Sequence, residues 1–201
     1  MSAKIIIRPY VESDFDEVVE LLVESFQQKF ASLSGLSSDE LPRFLKEMGV
    51  MYKKPFEGFM VVEEKGIVIA VMVLEWKGQV RPEEQIHFFS ASREYGFFKV
   101  VKSVIGFWLL MSNLQQGECY VEHIAVKPEA RGKGIGSKLL QWAQRFAEKK
   151  GFSIFSLHVA GSNQAARLYE REGFSVAKRK QSRLMKKFFG IYEWLYMVKK
   201  I

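Results

Sequence analysis

The sequence predicts an α/β chain of the α+β kind, a mixed central sheet with helices on both faces. Three observations carry that expectation. First, residues 120–126 and 152–159 are apolar, β-branched runs joined by a helical period over 136–149, and a helical crossover places its two strands parallel. Second, residues 59–63 and Ile67–Trp76 are strand-like runs separated by Glu64-Lys65-Gly66, the pattern of an antiparallel hairpin. Third, strands and amphipathic helices succeed one another with no internal repeat, low-complexity tract or linker. Residues 1–201 therefore read as one domain.

In chain order, residues 4–8 (Lys-Ile-Ile-Ile-Arg) form a short first strand. Ser13-Asp14 offers an N-cap, Asp16 favours the first turn, and Phe15, Val18, Val19, Leu22 and Phe26 space a helical stripe. A second helix is expected from Ser37-Ser38 to about Met48, with Asp39, Glu40 and Pro42 in its first turn. After the hairpin, residues 77–116 open polar through Gly78, Pro82 and Glu83-Glu84. They then space Phe97, Val101, Val104, Ile105 and Trp108 on one helical face. This predicts an inserted helix over 92–111, buried on several sides or lining a pocket. Ile135, Leu139, Trp142, Ala143 and Phe146 mark the crossover helix, and residues 163–172 a further one with Ala165, Leu168, Tyr169 and Glu172 on one face. Residues 174–177 start a strand, 178–190 read as a basic loop, and 191–198 are the last strand.

Composition excludes several classes. With 48% hydrophobic residues and 17 Phe, the chain has the makings of a globular core. Met-Ser-Ala-Lys at the amino terminus lacks the apolar stretch of a signal peptide. The longest strongly apolar run, 104–111, falls far short of the roughly 20 residues needed to cross a bilayer. One cysteine makes no internal disulfide, so a reducing cytoplasmic location is expected. The net charge of +7 is concentrated: residues 175–201 hold eight bases and the single acid Glu193, which equals the whole excess. Such a patch suits nucleic acid, a membrane surface or an acidic partner, with a solvated face as the plain reading.

The chemistry gathers around residues 119–136. A strand ending Ile124-Ala125-Val126 meets a turn at Lys127-Pro128 and then Arg131-Gly132-Lys133-Gly134-Ile135-Gly136-Ser137, which opens a helix. Glycines feeding a helix N-terminus expose unpaired N–H groups at the positive end of its dipole, and Arg131 and Lys133 add charge. This is an anion-binding loop. It is neither a P-loop, since no Gly-Lys-Ser/Thr stands at the required spacing, nor the dinucleotide fingerprint, whose third glycine is Ser137 or Leu139 here. An ordinary tight turn is the bland alternative, and three glycines in five residues beside two bases argue against it.

Arg131-x-x-Gly134-x-Gly136 after that strand resembles the pyrophosphate loop of the GCN5-related N-acetyltransferase (GNAT) superfamily. Asn163-x-x-Ala166-x-x-Tyr169 followed by Gly173-Phe174 is similar to the family's second signature, and the order of elements also matches. The motifs cover residues 119–174; the N-terminal third agrees in pattern only. The resemblance implies a GNAT fold whose two parallel central strands splay, and an acetyl-CoA or related acyl-CoA donor. Ile124, Ala125 and Val126 would then pair with the pantetheine arm, which Asn163 also holds, while Arg131, Gly132, Lys133, Gly134, Ile135, Gly136 and Ser137 would bind the pyrophosphate. It implies direct transfer of the acetyl group to a primary amine, with no metal.

For catalysis, a backbone N–H near Val126 would hold the oxyanion, and Tyr169 would protonate the departing sulfur rather than serve as a core tyrosine. Glu122 is the expected base, acting through water, and the alternative is a solvated carboxylate on the sheet. His158 stands where ribosomal-protein N-terminal acetyltransferases, which this region resembles, carry a glutamate; it is the competing base, and the departure puts a peptide N-terminus in doubt as acceptor. His123 is expected on the opposite face from Glu122 and structural, and Cys119 in the core. The forty-residue span 77–116 replaces a short hairpin, so the acceptor is not transferable from relatives. Expected partners are an amine-bearing small molecule or a peptide or protein, without membrane or nucleic acid, and with a homodimer left open. The rival class is a non-catalytic acyl-CoA- or nucleic-acid-binding module that uses the basic C-terminal patch.

Overall fold

The computed structural model describes residues 4–83, 85–110 and 113–201; residues 1–3, Glu84 and the expected helix end at Met111 lie outside them. Seven strands form one mixed sheet: β1 (Ile5–Pro9), β2 (Phe59–Glu64), β3 (Ile67–Trp76), β4 (Glu118–Val126), β5 (Ile154–Ala160), β6 (Ser175–Gln181) and β7 (Glu193–Lys200). Their spatial order is β1-β2-β3-β4-β5-β7-β6. The β2–β3 hairpin closes on Lys65 and Gly66, both at positive φ (54° and 80°), as a two-residue turn matched to strand twist requires. Among the described residues only β4 and β5 run parallel, joined by the crossover helix α5 (Ile135–Lys149).

The helices cover both faces, as the fold class predicts. On one face α5 buries Ile135, Leu139, Ala143 and Ala147, spaced four apart, against Met72, Leu74, Cys119, Val121, Phe155 and Leu157. Truncating Leu139, fully buried here, to alanine costs about 2–5 kcal/mol. On the other face α1 (Phe15–Ser34) lays Val18, Leu21 and Leu22 on Val61, Val71, Val73 and Ala125. α1 bends at Phe26 (φ −119°, ψ 21°), and α2 (Leu41–Met48) packs on its outer side. α2 starts later than the sequence suggests because the Glu40 carboxylate folds back to accept the Ser37 N–H and hydroxyl, making residues 37–40 a turn.

Two further expectations are corrected. Residues 92–110 are not one helix but the last turn of α3 (Phe88–Tyr95) and the whole of α4 (Phe97–Leu110), broken at Gly96 (φ 94°, ψ 136°), a conformation that glycine reaches without Cβ strain. Nor is the apolar face of α4 buried. Val100, Ser103 and Gly106 face inward, and a Cβ at Gly106 would run into Leu33 of α1. Small residues let the two helices close together, which turns Phe98, Ile105 and Trp108 outward. Residues 178–190 are not a loop either. β6 pairs with β7 as far as Gln181, the Ser182 hydroxyl accepts the Met185 N–H, and α7 (Arg183–Phe189) ends at Gly190 (φ 70°).

Candidate active site

The site begins where β4 and β5 part. Their ladder runs from Glu118↔Ile154 to Val121↔Leu157 and stops, although β4 continues beside β3 to Val126 and β5 beside β7 to Ala160. Against β3 the register jumps from Val73↔His123 to Leu74↔Val121, so Glu122 is the extra residue of a β-bulge. The bulge bends β4 away from its neighbour. Lys127 N–H bonds to the Ile69 carbonyl of β3, so strand alternation turns the N–H and C=O of Val126, and those of Ile124, toward the opening. There Arg131 Nε reaches the Val126 carbonyl at 3.0 Å. Ala125 is buried toward α1, while the side chains of Ile124 and Val126 pack toward α5.

Glu122 and His158 follow the last paired residues of their strands and flank the opening on the α1 face of the sheet. Glu122 is not the freely solvated carboxylate of the alternative reading, since its side chain is 22% exposed. The segment after β3 brings Arg81 to 2.7 Å from Glu122 Oε2, and the same guanidinium donates to Gln79, Tyr52 and the Leu74 carbonyl while lying over the Tyr52 and Phe56 rings. Glu75, close by, has its carboxyl held above the usual range by burial, with the Glu122 charge adding. The bulge also corrects the placement of His123, which lies on the same face as Glu122, with Nε2 3.7 Å from Oε1 and its ring beside Phe26. Strict alternation fails at a bulge.

His158 is exposed at its outer edge, with Nδ1 3.2 Å from the Tyr120 hydroxyl and the ring between Tyr120 and Tyr196. Crowding by these groups lowers its pKa from the ordinary 6.5, so the imidazole is neutral at neutral pH. Beneath it lies a polar network that sequence reasoning missed. Glu118, 2% exposed, accepts from the Ser156 hydroxyl, the Tyr196 hydroxyl at 2.7 Å and the Gln115 N–H at 2.8 Å. The alternation of Glu118 with the buried Cys119 was its only trace in the sequence. Also missed was Lys29 on α1, its Nζ over the Phe26 and Trp194 rings, with burial pulling its pKa down to about 8.

Past β4, the N–H groups of Gly132 to Ser137 find no acceptor among the described residues; the first bonded one is Lys138, to the Gly134 carbonyl. Gly132 and Gly134 both sit at φ 75°, with open space where a side chain would begin. Gly136 has an ordinary φ, but a Cβ there would lie 3.0 Å from Leu168 of α6 (Ala165–Arg171), so it sets the approach of α5 to α6. The arrangement fits a multiply charged anion such as a pyrophosphate, with Arg131 and Lys133 exposed beside it.

Tyr169 on α6 is buried, and its ring meets Phe174 at 6.1 Å. Its hydroxyl makes no hydrogen bond to a described residue and is not among the buried unpartnered oxygens, so its tip reaches solvent. Burial pushes it up to about 12. The Asn163 Oδ1 accepts the Ala165 N–H at the start of α6, leaving its amide N–H groups free. Cys119 is fully buried with its thiol pushed up to about 12, which suits a core residue and not a nucleophile. No cluster of three or more metal-ligating side chains occurs among the described residues.

Comparison with known proteins assigns the class. Residues 15–174 match the model of the acetyltransferase (GNAT) family, and the chain belongs to that family. It is 28% identical over 183 residues to an uncharacterized N-acetyltransferase of Methanocaldococcus jannaschii, covering 86% of this chain and 68% of that one. A thialysine N-epsilon-acetyltransferase of Sus scrofa is 40% identical over 60 residues, 30% of this chain and 35% of its own. Among solved structures, an N-acetyltransferase from Staphylococcus aureus superposes with TM-score 0.60 at 19% identity over 98% of this chain and 99% of its own. PaiA N-acetyltransferase from Thermoplasma acidophilum, in complex with coenzyme A, gives 0.56 at 17% identity with the same coverage. These structural likenesses establish the fold.

Proposed function

We propose that the chain is an acetyl-CoA-dependent N-acetyltransferase that acylates a primary amine by direct attack on the thioester. The observation that carries this reading is the run of unsatisfied N–H groups from Gly132 to Ser137, set beside the free edge of β4 where β5 leaves it. A pyrophosphate suits the first and an extended amide-bearing arm the second, with Ile124 and Val126 pairing to it, Ala125 being turned to β3, and Asn163 offering its amide. Bound there, acetyl-CoA would supply an activated acetyl group.

The remaining work falls to the protein. The Val126 N–H points into the opening, where it can donate to a developing oxyanion. The Tyr169 hydroxyl stays protonated throughout the working range and can donate to the departing sulfur. The amine must lose a proton, and two acceptors flank the opening. His158 is the better supported, because its Nε2 bonds no described residue and its imidazole is neutral, whereas Glu122 already shares its charge with Arg81 at 2.7 Å. Glu122 then positions, with Oε1 left to hold water or the incoming amine.

Calorimetry with acetyl-CoA, followed by release of free CoA thiol over a panel of amines and N-terminal peptides, tests the reading. Binding together with amine-dependent thiol release is expected. Failure to bind acetyl-CoA would remove the donor assignment, and binding without release on any amine would leave a binding module.

A further inference from the structure

Two features remain that the proposed transfer does not use: the apolar outer face of α4 and the basic run near the C-terminus. The fold brings them together. Along α4 the outward stripe is Phe98, Val101, Ile105 and Trp108, with Phe98 85%, Trp108 69% and Ile105 43% exposed. Phe89 of α3, 87% exposed, and Phe97, 56% exposed, extend the patch, and each packs edge-on against Phe88. Single exposed apolar side chains are common, but a contiguous row of large aromatics on adjoining helices marks an interaction surface.

Charge narrows the partner. No acid occurs from Tyr95 to Gly117, where Lys99 is exposed beside the stripe and Lys102 is tied to the Ser32 carbonyl of α1 at 2.6 Å. None occurs from Ser175 to Tyr192 either, a run that holds Lys178, Arg179, Lys180, Arg183, Lys186 and Lys187. Leu109 and Leu110 at the end of α4 and Met185 and Phe188 of α7 pack against one buried cluster of Leu33, Phe189 and Trp194, so the two acid-free segments meet at that cluster. Arg183, Lys186 and Lys187 form no ion pair with a described residue, and Leu184 between them is 51% exposed. A second copy would set two cationic faces against each other. A nucleic acid would meet aliphatic Val101 and Ile105 beside the rings, which offer nothing to the polar edges of bases. An anionic lipid surface suits both halves, with rings entering the headgroup boundary and lysines on the phosphates. α4 spans about 21 Å, against about 30 Å of hydrocarbon, so it would lie in the surface and not cross it.

We infer that the outer face of α3 and α4, together with basic α7, is an interfacial docking surface for anionic phospholipid membranes. This goes beyond the proposed transfer and stands or falls separately from it. The test is co-sedimentation of the full chain with phosphatidylcholine vesicles and with vesicles containing phosphatidylglycerol. Expected is binding to the anionic vesicles that weakens from about 0.1 M to about 0.5 M salt. Phe98→Ser with Trp108→Ser should lower the partition coefficient by about 100-fold, about 10-fold for each ring. Both side chains are exposed, so the thermal midpoint should hold, which separates lost docking from lost folding. Absence of binding to anionic vesicles overturns the inference. So does a dimer that sedimentation shows dissolving in the double variant without vesicles, or a preference for single-stranded oligonucleotide over vesicles.

Discussion

Replacing Tyr169 with phenylalanine isolates one oxygen in the proposed reaction. The ring meets Phe174 at 6.1 Å and its hydroxyl bonds no described residue, so Tyr169→Phe should change stability by about 1 kcal/mol or less. Its effect on turnover follows from acidity. Burial raises the hydroxyl from 10 to about 12, whereas a thiol ionises near about 8.5. Handing over a full proton would be uphill by about 5 kcal/mol, so the hydroxyl should act chiefly as a hydrogen-bond donor to the developing thiolate. Such a bond to a charged group is worth about 1.5–3 kcal/mol, which predicts a fall in kcat of about 10- to 100-fold with acetyl-CoA affinity unchanged. The assay is single-turnover thiol release at saturating donor and amine. Wild-type turnover in a folded variant would make Tyr169 structural; a loss beyond about 10³-fold would indicate complete proton transfer and refute the energetic argument. Acidity also gives a stability signature. Because the folded value is the higher one, the stability linked to Tyr169 is complete below about pH 10 and lost as pH rises toward about 12, so the Phe variant should unfold less steeply over that window.

Three other outcomes are expected. Gly134→Asp sits at φ 75°, which aspartate tolerates better than most residues, so its effect should be electrostatic: one charge about 5 Å from a phosphate costs about 3 kcal/mol at an effective dielectric of about 20, lowering acetyl-CoA affinity about 100-fold by calorimetry. Burial depresses the His158 pKa, so kcat/KM should fall as pH drops below about 6.5 and the imidazole gains a proton. His158→Gln should abolish that acidic limb and Glu122→Gln should keep it; the reverse pattern would make Glu122 the base, and a limb unchanged in both would mean the amine arrives already deprotonated. Gly106→Ala should destabilise by about 1–3 kcal/mol, read as a lower thermal midpoint, because its methyl meets Leu33; an unchanged midpoint would show that α4 does not close on α1.

Much of this protein is written in local pattern. Continuous apolar, β-branched runs marked β2, β3 and β4, which are buried on both faces, and periods near four residues marked α1 and α5, since the residues that make each signal sit close together in the chain. The glycine loop is equally legible: a run of consecutive backbone N–H groups without acceptors needs only a short sequence and a helix start. Groups that meet across strands or insertions were not legible. Arg81 reaches Glu122 across 41 residues, and Tyr196 reaches Glu118 across 78. The bulge that sets Glu122 and His123 on one face depends on the register of β4 against β3, which no single strand encodes. For α4, the sequence showed apolar residues nearly all round. Only tertiary packing decided which side is buried, because Ser103 and Gly106 permit a closer approach to α1 than Phe98 or Trp108 could, leaving the larger side chains to face outward.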